Sequence, residues 1–113
     1  MNKPRVKTKQ EAQKEFLDHI HSSSEYWANL SDLTPQERCD GVAFSILVML
    51  DGASMALPAC DISLHPHPDD KEFLRGEGEN WFEPNMIIND DCELHELYAK
   101  LSNNKMKENG IIK

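Results

Sequence analysis

Residues 55 to 65 read MALPACDISLH, and the fold class turns on them. Cys60, Ile62 and Leu64 alternate with Asp61, Ser63 and His65. In an extended chain successive side chains point to opposite faces, so this spacing predicts a strand with one apolar and one wet face. Pro58 has no amide hydrogen to give to a ladder, which confines the strand to an edge or makes residues 55 to 58 an entry bend. A strand needs a partner, and 85-NMIIN-89, short and β-branched, is the expected second strand. The expected fold class is therefore α+β, with an N-terminal helical hairpin, a small antiparallel sheet of two or three strands and a C-terminal helix.

Upstream, the period is helical. Thr8 and Glu11 have capping-box spacing, and Phe16, Ile20, Ser23, Trp27 and Leu30 then share one face, widened by Leu17 and Tyr26. This predicts a first helix over residues 9 to 29. Thr34, Pro35 and Glu37 repeat the start signal for a second helix, which runs to about Leu50 and stops at 51-DG-52. From Val42 onward this helix is apolar nearly all round, which predicts burial on most sides, with Ile46, Leu47 and Leu50 inside. Gly41 within it costs stability relative to alanine, so a close neighbour is expected there. Downstream, Asp90 and Glu93 have the same box spacing and predict a last helix with Leu94, Leu97, Tyr98 and Leu101 as its buried stripe.

One hundred and thirteen residues suit a single domain, with residues 1–7 and 105–113 as flexible basic tails. The charge is uneven. Residues 15 to 99 hold eighteen acids against three basic groups, while both ends are basic, giving a net charge of −8. Nucleic acid and anionic membranes bind through lysines and arginines that neutralise phosphate, so this body should engage neither. The longest apolar run, 42-VAFSILVML-50, is far short of a membrane span. Cys39, Cys60 and Cys92 form neither an even set nor a short-spaced pair, which predicts thiols and a cytoplasmic location.

Chemistry concentrates in 62-ISLHPHPDDKEF-73. Continued as a strand, Asp61, Ser63, His65 and His67 share a face, and two imidazoles with a carboxylate suit zinc, nickel or copper. His65, His67 and Asp70 are the ligands such a site would use. A third and a fourth ligand are wanting, since His95 reads as a solvated histidine beside Glu96. The expectation is no metal and no cofactor, with the segment a stiff connector. Trp81 and Phe82 in 76-GEGENWF-82 are expected to fold back as a lid on the core.

The string 66-PHPDD-70 resembles the zinc motif of the de-N-acetylase superfamily, His-Pro-Asp-Asp-Glu. That resemblance implies His67 and Asp70 as ligands and Asp69 as a base. The chain departs from the motif at Lys71, lacks a downstream His-x-x-His, and places the string after two helices. The spans 41-GVAFSILVMLDG-52 and 65-HPHPDDKEFLRGEGENWF-82 resemble a group of small uncharacterised bacterial proteins, enterobacterial and prophage-type. That second resemblance implies a cytoplasmic accessory role and brings no catalytic residues.

The leading functional expectation is a non-enzymatic binding protein with an acidic surface, such as an inhibitor, an immunity protein or a phage–host interaction protein. Its partner would be a protein with a basic surface, met by Glu77, Glu79, Glu83, Asp69 and Asp70 around Trp81. A homodimer and a small metal-dependent hydrolase using HPHPDD are the alternatives.

Overall fold

The computed structural model describes residues 3–108, with side chains to residue 104. It contains four α-helices: α1 (Lys9–Ala28), α2 (Pro35–Leu50), α3 (Asp70–Gly76) and α4 (Leu94–Glu108). Among the described residues no strand forms, so the expected α+β class with a sheet is overturned. The chain divides into two compact units, one of Met1–Ala59 with Glu93–Lys113 and the other Cys60–Cys92.

The first unit holds α1, α2 and α4. Both expected capping boxes close. The Thr8 hydroxyl accepts the Glu11 amide at 3.1 Å, and the Glu11 carboxylate accepts the Thr8 amide at 2.9 Å. Thr34 and Glu37 do the same at 3.1 and 2.9 Å. Each box satisfies amides that the first helical turn leaves without partners. The Arg5 guanidinium and then the Thr8 amide hold the Glu11 carboxyl down to about 2. Arg5 pairs with Glu11 and Lys7 with Glu15, which ties part of the expected N-terminal tail to α1. At the other end α4 continues to Glu108, and residues 1–2 and 109–113 lie outside the described residues.

α2 packs against both α1 and α4. Phe16, Ile20, Ser23 and Trp27 lie on a half-buried face of α1 and Leu30 is half-buried just beyond its end, while Leu17 and Tyr26 face solvent rather than widening it. The Trp27 indole lies directly on Gly41, and a Cβ at that position would overlap its ring. The Trp27 ring N–H donates to the Ser45 hydroxyl at 2.9 Å, so the indole is fixed both by packing and by a bond to α2. The chain leaves α2 through Gly52 at φ +76°, with the Ala53 amide donating to the Val48 carbonyl at 3.0 Å. That 6→1 bond around a left-handed glycine closes the helix C-terminus.

Burial in this unit is thinner than the apolar run of α2 predicts. Met49 is the core residue, fully enclosed, and Ile46, Leu47 and Leu50 are only half-buried. Two neighbouring helices cover two sides of a cylinder and leave the rest with partial cover. The stripe of α4 also differs from expectation. Leu94, His95, Tyr98, Ala99 and Ser102 are its half-buried positions, and Leu97 and Leu101 are exposed. Polar bonds set this rotation: the Tyr98 hydroxyl donates to Asp40 at 2.8 Å and the Ser102 hydroxyl to the same carboxylate at 3.3 Å.

In the second unit the two expected strands do run antiparallel, but they share only an isolated bridge between Ser63 and Ile87. The Leu64 amide donates to Met86 at 2.9 Å, and the Ile88 amide to Ile62 at 3.0 Å. Beyond Ile88 the side chain of Asn89 replaces backbone, accepting the Ile62 amide at 2.9 Å and donating to the Cys60 carbonyl at 2.7 Å. At the other end Asn85, at φ +64°, turns the chain away, and Pro66 and Pro84 lack amides to extend the ladder. Asp61 and His65 are exposed as the alternation predicts, but Ser63 is half-buried like Ile62 and Leu64; a side chain at one end and prolines at the other keep the pairing from growing into a sheet.

The unit's helix, α3, was not expected. It ends with the Glu79 amide donating to the Leu74 carbonyl at 2.8 Å around Gly78, whose φ is +75°. The glycine of 76-GEGE-79 thus serves a helix C-terminus.

Candidate functional site

Asp69 and Asp70, the acids of the HPHPDD segment, sit at the start of α3. The His67 amide donates to the Asp70 carboxylate at 3.2 Å, and the His67 Nδ1 accepts the Asp69 amide at 3.2 Å. The segment therefore folds on itself as the lead-in to a short helix rather than continuing as a strand. His65 and His67 are both exposed. Among the described residues, His65, His67, Asp69 and Asp70 do not form a three-ligand group. The de-N-acetylase assignment of His67, Asp69 and Asp70 thereby loses its geometric basis.

Around this turn lies a groove of about 410 Å³ whose walls include Pro66, Pro68, Phe82 and Pro84. The Lys71 ammonium lies 5.5 Å from the centre of the Trp81 ring and 3.8 Å from Glu83. The Trp81 ring N–H donates to Glu83 at 3.2 Å. Trp81 is half-buried, with Lys71 and Glu83 as its partners, whereas Phe82 remains 65% exposed and does not fold back as the lid expected. Glu83 is partly neutralised. Glu77, Glu79 and Glu72 are exposed and, among the described residues, make no ion pair.

Residues 60–92 hold nine acids and two basic groups, a net of −7 within a chain whose total is −8. The same unit exposes Phe73, Phe82, Met86 and Ile88. Unpaired acids with large apolar side chains are the chemistry of a surface for a basic, partly apolar partner.

A second polar centre lies in the first unit and joins residues far apart in sequence. Asp51, at the C-terminus of α2, accepts the His95 amide at 2.8 Å and the His95 Nδ1–H at 2.7 Å. Its side chain is 2% exposed and that of His95 is 14% exposed. The Phe44 ring meets the imidazole edge-on, 5.5 Å between centres. Burial raises the Asp51 pKa, but the backbone and ring donations from His95 and the Leu94 amide outweigh it, and the carboxyl is held below its ordinary value of 3.8. The other oxygen, Oδ1, is buried without a hydrogen-bond partner.

His95 is thus a half-buried, hydrogen-bonded histidine rather than a solvated one. Asp51 also supplies the cap that Asp90 and Glu93 were expected to make, because α4 begins only at Leu94. No local pattern announces a cap donated from 44 positions away. The available signals were an aspartate beside the helix-ending glycine and a histidine in a first turn.

A third polar group, Asp40 with Tyr98, Ser102 and Gln36, fastens α4 to α2. The Asp40 hydrogen bond, burial and the charge of Asp40 together raise the Tyr98 pKa. Among the described residues, no helix is long and apolar enough to cross a membrane. No protein-family model matches the chain, and no curated protein or solved structure does either.

Proposed function

We propose that this chain is a non-enzymatic binding protein whose 60–92 unit presents an acidic and aromatic surface to a basic protein. The observation that carries the reading is that Glu72, Glu77 and Glu79 stand exposed and, among the described residues, unpaired in a unit that also exposes Phe73 and Phe82. Unpaired surface charge contributes little to folding, so it is free to steer an encounter. An inhibitor, an immunity protein or a phage–host accessory protein works in this way. A reducing cytoplasm suits Cys39, Cys60 and Cys92, all thiols. The test is capture from a lysate on the immobilised chain, wild type against the triple reversal Glu72→Lys, Glu77→Lys, Glu79→Lys. A basic protein held at low salt, eluted by salt and absent from the variant supports the reading. Identical capture by both sinks it.

A homodimer is the second reading, and it rests on Leu97 and Leu101. They lie one turn apart on the outer side of α4 and are 48% and 53% exposed. Sedimentation at rising concentration separates monomer from dimer. A purely monomeric chain at high concentration removes this reading and leaves the first intact.

A further inference from the structure

We propose that Glu93, His95 and Glu96 form a binding site for a divalent ion of the zinc class, oriented by Asp51. Each of the three offers a ligand atom, and these atoms all lie within 4.8 Å of one another. The His95 Nδ1 lies 2.7 Å from the Asp51 carboxylate, so that nitrogen is engaged and Nε2 is the one left for a ligand. A buried carboxylate holding one ring nitrogen while the other faces a ligand position is the usual arrangement behind a metal-binding histidine.

The Nε2 faces Glu93 Oε2 at 3.5 Å. At that distance the pair makes no good hydrogen bond. Two ligands bound at about 2.0–2.1 Å on a tetrahedral ion stand about 3.3–3.4 Å apart. The pair is therefore already spaced as neighbouring ligands. Glu96 supplies a third donor, and a fourth position stays open to water or to a partner's side chain. One imidazole with two carboxylates suits zinc better than magnesium or calcium, which prefer oxygen alone. The ion would also neutralise two of the acids at the start of α4.

This site lies outside the 60–92 unit, so it stands or falls separately from the acidic-surface reading. The experiment is calorimetric titration of the chelator-treated, dialysed chain with zinc chloride, repeated with cobalt and read by visible absorption. One equivalent should bind. The double variant Glu93→Gln, Glu96→Gln changes two exposed side chains, and its fold is checked by circular dichroism. It should bind at least about 10-fold more weakly, and Asp51→Asn about 10–100-fold more weakly. His67→Ala should bind as the wild type does. The proposal is overturned if the wild type takes up no zinc at millimolar concentration. It is equally overturned if the double variant keeps full affinity, or if His67→Ala is the variant that loses it.

Discussion

The two units use their acids in opposite ways. In the helical unit, Asp40 and Asp51 turn inward and each accepts two hydrogen bonds from α4. In the 60–92 unit, Glu72, Glu77 and Glu79 turn outward, beside large apolar side chains that are also exposed. One residue type thus does two jobs, and burial decides which. An inward carboxylate loses its water and has to be bonded, so it becomes a structural tie. An outward one keeps its water and remains available to a partner.

Substitutions can break that contrast, and the largest effect is expected where enclosure is complete. Met49→Ala removes the fully buried side chain and should cost about 2–5 kcal/mol by denaturant titration, unless the site collapses to fill the gap. A loss under 1 kcal/mol would show that Met49 does not anchor the core. Asp51→Ala should come next, at about 2–4 kcal/mol, because it strands the His95 donors in a half-buried place.

The same residue sets an acid response. Its folded pKa lies below the ordinary 3.8, so its contribution is fully present above that value. The contribution is lost as pH falls from about 4 through the folded value. Melting temperature should therefore drop more steeply below pH 4 in the wild type than in Asp51→Asn. Parallel curves would show that the Asp51 bonds are worth little.

Gly41→Ala is a sharper test, because intrinsic propensity and packing disagree. In an open helix the change would stabilise by about 1 kcal/mol. Here the new methyl overlaps the Trp27 ring, and the net result should be a loss of about 1–3 kcal/mol. A gain in melting temperature would mean that the indole is not held against α2. The smallest effect belongs to the outward acids. Reversing Glu72, Glu77 and Glu79 together should shift stability by less than about 0.5 kcal/mol. A large loss would turn these residues from a surface into a structural element.

What the sequence revealed followed the range of the interaction. Thr8 with Glu11 and Thr34 with Glu37 act across three positions, and both boxes form as their spacing predicts. The close neighbour expected at Gly41 is Trp27. The sheet was misread because alternation in 60–65 reports which faces are wet, not how far a ladder extends. Asn89 and the prolines decide that. The last capping box was misread because Asp51 does its work from across the fold. The candidate site divided in the same way. The acidity of 60–92 is plain in composition, whereas the setting of His95 depends on Asp51 and Phe44, neither of which lies near it in sequence. Leu97 and Leu101 satisfied a helical period and still face outward, since Tyr98 and Ser102 bind Asp40 and fix the rotation.

The ties between helices also carry an order of assembly. Trp27 and Ser45 meet across 18 positions, whereas Asp51 with His95 spans 44 and Asp40 with Ser102 spans 62. Closing the longer loops costs about 1 kcal/mol more in chain entropy. The α1–α2 hairpin is therefore the expected folding nucleus, with α4 docking after the rate-limiting step. Ser45→Ala should slow refolding, while Tyr98→Phe should leave refolding nearly unchanged and speed unfolding instead. Stopped-flow chevrons for the two variants distinguish the orders, and a Tyr98→Phe chain that folded slowly would place α4 in the nucleus. On a ribosome the same inequality has a direct reading: residues up to about 50 can settle into a hairpin while the helix that completes their core is still unmade.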